Sequence, residues 1–249
     1  MWTEGIRRDG ADPPCRPHRG LDDPLNENEV VQPGSTDRTR VRRFPENAVT
    51  DPDAIRDVLD AGLVAHVAVQ DDEGQPYVVP VAYARRGDQV LFHGSTGSRL
   101  FRALAGGQPT CLTVTLLDAL VLARSAFESS MNYRCAMVIG VAQRLTGDDE
   151  LDALRVITEH LLPGRWDEAR QPTVKERAAT LTLALDLSEC SLKVSEGPPE
   201  DDPADLVDPV YSKIWAGIVP LREAFAEPVT DEHTPMGVPV PKYVRAWER

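Results

Sequence analysis

The chain of 249 residues contains no Cys-x-x-Cys pair, no Gly-x-Gly-x-x-Gly, no Gly-x-x-x-x-Gly-Lys phosphate loop and no His-Glu-x-x-His. Cys15, Cys111, Cys135 and Cys190 are its only cysteines and stand far apart. That spacing argues against a zinc site and a disulfide framework, and it fits reduced thiols in a cytoplasmic protein. No apolar run reaches membrane-spanning length, and MWTEGIRRDGADPP at the start lacks the apolar centre of a secretory signal. Positive charge is also scarce. Lys and Arg total 27 against 40 Asp and Glu, for a formal net charge of −13. A surface of that sign repels nucleic acid and anionic membranes, so neither is an expected partner. If such a chain binds an anion it must do so locally, which makes a positioned arginine informative.

What is present is a run of short patterned segments. Residues 1–40 are rich in Pro, Gly, Asp, Asn and Arg and poor in apolar side chains, and read as a disordered or loosely packed arm. One domain extends from Val41 to Leu221, and 222–249 form a C-terminal extension. Asp51-Pro52 places an N-cap and a first-turn proline before the helical spacing of AIRDVLDA, which Gly62 ends. Three hairpin-linked strands follow: Leu63 to Gln70, Pro76 to Ala84 and Gln89 to His93. A short helix is expected from Ser98 to Ala105. Thr110 to Leu117 and Asp118 to Arg124 read as two strands, and Tyr133 to Leu145 as one strand bent at Gly140. Asp148 to Leu162 is an amphipathic helix with an acidic start, and Thr173 to Ala179 a second short one. Leu181 to Leu187 and Ser191 to Val194 complete the strands, and Ile214 to Leu221 is expected to dock apolar residues on the body. The fold class is mainly β: short antiparallel strands in a small closed barrel with peripheral helices.

The residues richest in chemistry lie in LFHGSTGSRLFRAL, Leu91 to Leu104. This string reads as a strand end, a small-residue turn and a helix start. Gly94 and Gly97 let backbone approach a ligand, Ser95, Thr96 and Ser98 offer hydroxyls, and Arg99 can fork two N–H groups onto a phosphate. Unpaired N–H groups at the helix start would add to this. The same string also reads as an ordinary strand–turn–helix with Ser98 as N-cap. His93 is either held by backbone groups or touches a cofactor whose phosphate rests at Arg99. His66, among Val64, Ala65, Val67 and Ala68, is either a hydrogen-bonded structural histidine or an axial iron ligand. Arg124, Ser125, Asn132, Tyr133 and Arg134 flank a loop suited to line a ligand site, with Glu128 in reach of Arg124 or Arg134. HGSTGS only weakly resembles a nucleophile elbow, and that elbow belongs to a parallel sheet whereas these strands read as antiparallel.

Taken together, YVVPVAY (Tyr77 to Tyr83), LFHGSTGSRL and LTVTLLDALVLARSAFESSMNYRCAMVIGVA resemble the pyridoxamine 5′-phosphate oxidase-like FMN-binding split barrels. The branch they are most similar to is the flavin-nucleotide-binding one related to nitroimidazole-resistance proteins, over Val41 to Leu221. The resemblance implies a six-stranded antiparallel split β-barrel that forms a homodimer with FMN between the subunits. By position it implies Val79, Pro80 and Val81 along the flavin ring through backbone groups, and His93, Gly94 and Ser95 beside the cofactor. Ser98 and Arg99 would hold the phosphate. Asn132, Tyr133 and Arg134 would come from the next part of the wall, supplied by the same or the other subunit. Where the oxidase branch has Lys after the turn arginine, Leu100 stands here, with Arg102, Arg124 or Arg134 to compensate. Glu128, Ser129 and Cys135 stand where relatives of this branch carry histidines and a serine. The implied activity is an FMN-dependent oxidoreductase acting on a small organic substrate, with vitamin B6 oxidation not expected and no residue assigned to catalysis. Rival readings are a haem-binding or haem-degrading barrel with His66 or His93 on iron, and a non-catalytic flavin carrier. Coenzyme F420 is an alternative cofactor, although its acidic tail calls for more basic residues.

Overall fold

The computed structural model describes residues 32–71 and 73–248. Its first elements are β1 (Ala48–Val49) and α1 (Pro52–Ala61). The Asp51 carboxylate accepts the Asp53 N–H at 3.0 Å, the cap that the sequence leads one to expect. Gly62 closes α1 without a left-handed backbone. Its role is close approach: a Cβ there would lie 2.5 Å from Val114 Cγ1 and 2.6 Å from Tyr83 Oη. The Tyr83 hydroxyl donates to the Leu59 carbonyl at 2.6 Å, tying α1 to the strands.

β2 (Val64–Gln70), β3 (Pro76–Arg86) and β4 (Gln89–Ser95) form the expected meander. After α2 (Arg99–Ala105), β5 (Pro109–Leu122) and β6 (Ser130–Val141) make a long hairpin. β7 (Gln143–Arg144), α3 (Gly147–Leu161), α4 (Arg165–Glu168) and α5 (Val174–Ala178) follow. Then come β8 (Thr180–Asp186), β9 (Cys190–Ser195), α6 (Pro203–Val207), β10 (Gly217–Pro220) and α7 (Lys242–Arg245).

The barrel closes through one continuous piece of chain. Around it run β6, β5, β2, β3, β4 and β8, all antiparallel. Only Ala142 separates β6 from β7, which pairs with β8 through Gln143↔Ala184 and Arg144↔Leu183. β6 and β7 thus act as one bent strand, and the ring has the six strands that the family resemblance implies. β9 and β1 extend the sheet beyond β6. Tyr83, Phe92, Leu112, Leu183 and Leu185 are fully buried inside the barrel. Residues of opposite parity, Ala84, Leu91 and Ala184, pack outward under Ala153 and Ile157 of α3. Alternation thus feeds both cores from the same strands.

Several expectations require correction. Thr110 to Leu117 and Asp118 to Arg124 are one strand, β5, with a register shift at Leu117/Ala119. A bulge keeps pairing while turning the strand, so it imitates a strand boundary in sequence. The long strand breaks at Ala142 rather than Gly140; a Cβ on Gly140 would come within 3.1 Å of Leu185. Ile214 to Leu221 does not bury its apolar residues. It adds β10 to the edge of β5 and leaves Trp215, Ile218 and Val219 exposed. The last part of the supposed arm is built onto the body: Gly34 N–H donates to the Cys190 carbonyl at 2.7 Å, and Thr39 is buried. Glu189 gathers this stretch by accepting from Thr36 Oγ1 at 2.9 Å and pairing with Arg38. Composition could not reveal that a single turn carboxylate does this. The rest of the arm, 1–31, lies outside the described residues. The C-terminal extension returns to the α3–α4 corner, where Trp247 Nε1 donates to the Pro163 carbonyl at 3.1 Å. Among the described residues no helix is long and apolar enough to cross a membrane.

Candidate functional site

The candidate site is a consequence of two strands parting. β3 pairs with β4 only through Tyr83↔Phe92 to Arg86↔Gln89. Before Tyr83, β3 continues beside β2 alone, and beyond Phe92, β4 continues beside β8 alone. This leaves a free backbone edge along Pro76 to Ala82 and a gap in the barrel wall. Leu100, Phe101 and Leu104 of α2 fill the inner part of that gap and are buried. The outer part is a cleft of about 490 Å³ lined by Val69, Tyr77, Val79, Ser98, Arg99 and Arg102, among others.

Electrostatics make the cleft notable. Most arginines of the described chain have carboxylate partners, among them Arg56, Arg85, Arg86, Arg124, Arg134 and Arg177. Arg99 and Arg102 form no ion pair or hydrogen bond through their guanidinium groups among the described residues, despite a formal chain charge of −13. Arg99 instead lies over the Tyr77 ring, its Cζ 3.9 Å from the ring centroid. The Tyr77 hydroxyl donates to Asp71 Oδ2 at 3.0 Å. The backbone N–H of Gln75 above all, then the Tyr77 hydroxyl, the Glu73 N–H and the charge of Arg99, hold the Asp71 carboxyl below its usual range. Ser98 occupies the N-cap position of α2, yet its hydroxyl makes no cap hydrogen bond and stands uncommitted. α2 has only seven residues, so the anion affinity of this cleft rests on side chains more than on a helix terminus.

Not every residue expected at the site is in this cleft. Val79, Ser98 and Arg99 are brought together. Val81 is buried in the barrel. The Pro80 side chain lies on the opposite, outer face of β3, in register with His66 of β2, while the backbone of Pro80 and Val81, through which they were expected to act, belongs to the free edge. The space over Gly94 is taken by protein: a Cβ would sit 2.1 Å from a Phe101 ring carbon. Ser95 Oγ accepts the Gly97 N–H at 3.1 Å, so it shapes the turn. His93 shares its register position with Thr182, on the outward parity of Leu91, and does not line the cleft. Desolvation by the surrounding protein disfavours its charged form and lowers its pKa from the ordinary 6.5. The unfolded chain therefore takes up the His93 proton more readily, and stability contributed there is lost as pH falls from about 6.5. An NMR titration is expected to place the His93 midpoint below that of a free imidazole; a midpoint above it would contradict this.

Asn132, Tyr133 and Arg134 lie elsewhere. Asn132 Nδ2 donates to the Gly197 carbonyl at 3.0 Å, and Arg134 grips Asp118 at the β5 bulge through bonds of 3.0 and 2.7 Å. Arg134 and Asp118 line a larger cavity of about 870 Å³ with Leu63, Leu116, His160 and Trp247. Leu63 precedes β2 and Val69 nears its end, so the two pockets lie at opposite ends of that strand, about 20 Å apart along it. One chain does not unite them. Arg124 is bound to Asp201 at 2.6 Å, so neither it nor Arg134 compensates for Leu100, and Glu128 pairs with neither. Arg102 is the second cation of the cleft. Tyr77 and Asp71 also line the site, and sequence alone misses them because only the fold shows the turn carboxylate reaching a ring six residues on.

The family described as pyridoxamine 5′-phosphate oxidase matches residues 51–194. Among curated proteins nothing matches. A solved structure of the FAD and heme binding protein from Mycobacterium smegmatis is 40% identical, with a TM-score of 0.75, covering 80% of this chain and 96% of that one. The flavocytochrome Anf3 from Azotobacter vinelandii is 38% identical, with a TM-score of 0.78, covering 85% and 97%. A putative 5-nitroimidazole antibiotic resistance protein from Bacteroides thetaiotaomicron, 20% identical with a TM-score of 0.51 over 59% and 86%, shares the fold.

Proposed function

Since the chain belongs to the pyridoxamine 5′-phosphate oxidase family, we propose that it is a flavin-binding oxidoreductase whose phosphate seat is the Ser98–Arg99–Arg102 cleft. The observation that carries this reading is the pair of arginines without carboxylate partners among the described residues, beside an uncommitted serine hydroxyl. Ser98 and Arg99 bind the phosphate by charge-assisted hydrogen bonds, and Arg102 adds the positive charge that Leu100 does not. The free edge of β3 at Val79 offers backbone groups to a planar ring, and the side chains of Val69 and Val79 keep water from that wall. A bound flavin supplies a ring that accepts and returns electron pairs, which the protein orients toward a small organic acceptor.

FMN is the cofactor that the sequence motifs suggest. FAD is the second reading, favoured by the two separate arginines, which suit two phosphates, and by the FAD and heme binding protein of M. smegmatis. The absorption spectrum of freshly purified protein, with mass analysis of the heat-released cofactor, distinguishes FMN, FAD and F420. A protein that binds no flavin at saturating concentration refutes the proposal.

The site is completed by a second copy of the chain. Val64, His66, Ala68, Val78, Pro80, Cys111, Thr113 and Met137 share the outer face of β2, β3, β5 and β6, and the face carries no Asp, Glu, Lys or Arg at these positions. Val64 and Val78 are 48% and 61% exposed there. An uncharged face of this kind calls for a partner, and a homodimer supplies one while bringing a second Asn132–Arg134 segment within reach. Light scattering is expected to give about twice 27.4 kDa for the native protein and the monomer mass for Val78→Asp. A native monomer contradicts the dimer.

Haem as a further prosthetic group is supported by the names of the two most identical of these relatives and by His66, exposed near the middle of β2 and flanked by Pro80 and Thr113 in register. Haem titration is expected to give a Soret band that His66→Ala abolishes; a band unchanged in His66→Ala and lost in His93→Ala moves the ligand to His93.

A further inference from the structure

We infer that Tyr77 is a positioning residue for the phosphate arginine: an aromatic plate, anchored through its hydroxyl to Asp71, that holds the Arg99 guanidinium in the cleft with its N–H edge free. The inference rests on the reading that Arg99 receives a flavin phosphate.

A lone exposed arginine in an acidic protein tends to fold back onto the nearest carboxylate. Among the described residues Asp71 is a carboxylate close enough to feel the Arg99 charge, yet no ion pair joins them. Its oxygens are already engaged. Oδ1 accepts the Gln75 and Glu73 N–H groups at 2.8 and 3.1 Å, and Oδ2 accepts the Tyr77 hydroxyl. The turn thus uses Asp71 to fix the ring, and the ring face attracts the guanidinium without taking any of its N–H donors. Stacking leaves those donors, in the guanidinium plane, for a doubly bonded oxyanion. Tyr77 also packs against the barrel core, so the plate is rigid. The arrangement reduces the side-chain freedom that Arg99 would otherwise lose on binding.

The test compares FMN with riboflavin, which lacks the phosphate, by fluorescence titration of the full-length protein. The ratio of the two dissociation constants isolates the phosphate contribution. Tyr77→Leu is expected to reduce that ratio about fivefold, FMN affinity falling by more than riboflavin affinity. Tyr77→Phe, which keeps the plate but loses the anchor and frees Asp71 Oδ2, is expected to restore only part of it. Tyr77→Leu added to Arg99→Ala is expected to change nothing further, since the plate then has nothing to position. If Arg99→Ala leaves the ratio intact, the phosphate reading itself fails. If Arg99→Ala collapses the ratio and Tyr77→Leu leaves it intact, the positioning role alone is refuted. A Tyr77→Leu variant that weakens FMN and riboflavin equally also refutes it, showing the ring to be merely part of the wall.

Discussion

Replacing Arg99 by alanine is expected to weaken FMN binding by about 2–3 kcal/mol, a rise of roughly 30- to 150-fold in Kd. The size follows from what is removed. Arg99 is exposed and has no carboxylate partner among the described residues, so the change breaks no ion pair or hydrogen bond there. It deletes a forked donor aimed at a phosphate, and one or two charge-assisted hydrogen bonds go with it. The stability of the flavin-free protein should hardly change, while the rise in Tm on adding flavin, which native protein should show by linkage, should largely vanish. Arg155→Ala is the matched control, since Arg155 is paired with Asp152 on the exposed side of α3. Equal flavin retention in the two variants would overturn the assignment of the phosphate seat.

The second large effect is expected at Gly94. A Cβ there would meet three Phe101 ring atoms at 2.1, 2.3 and 2.5 Å, distances that no relaxation of the glycine itself can relieve. Phe101 must move, and it is held between Phe92, with ring centroids 6.0 Å apart, and the rest of the core. Overpacking of this sort costs about 1–3 kcal/mol, so Gly94→Ala should lower Tm by roughly 3–10 °C. Because Phe101 sits on α2 two residues after Arg99, flavin affinity should fall as well. Gly97→Ala, whose Cβ would come no closer than 3.4 Å to Ser95 Oγ, should be mild by comparison. Phe101→Leu in the Gly94→Ala background should recover part of the loss. A Gly94→Ala protein as stable as native would show that the ring and strand are not in this contact.

Gly94 also illustrates what could be read from sequence and what could not. The strand–turn–helix around it was legible because each piece has a local signal: β-branched alternation, a glycine-rich turn, then helical spacing. The reason for the glycine was not, because the occupant of the space above it comes from the next element. Six barrel strands were legible as short alternating runs, whereas the joining of β6 to β8 through Gln143 and Arg144 depends on register alone. The bulge at Asp118 imitates a strand end for the same reason. In the site, Ser98 and Arg99 announced themselves by chemistry. Tyr77 and Asp71 did not, since a tyrosine on an alternating strand and an aspartate in a turn are individually ordinary. His93 and Arg134 looked functional by residue type, and parity and strand length then placed them away from the cleft.

The most direct test of the central claim is a crystal structure of the protein saturated with flavin. The account predicts phosphate oxygens within hydrogen-bonding distance of the Arg99 guanidinium and the Ser98 hydroxyl, with the Arg99 stack on Tyr77 preserved. A bound flavin whose phosphate lies elsewhere, with Arg99 turned out to bulk solvent, would contradict it.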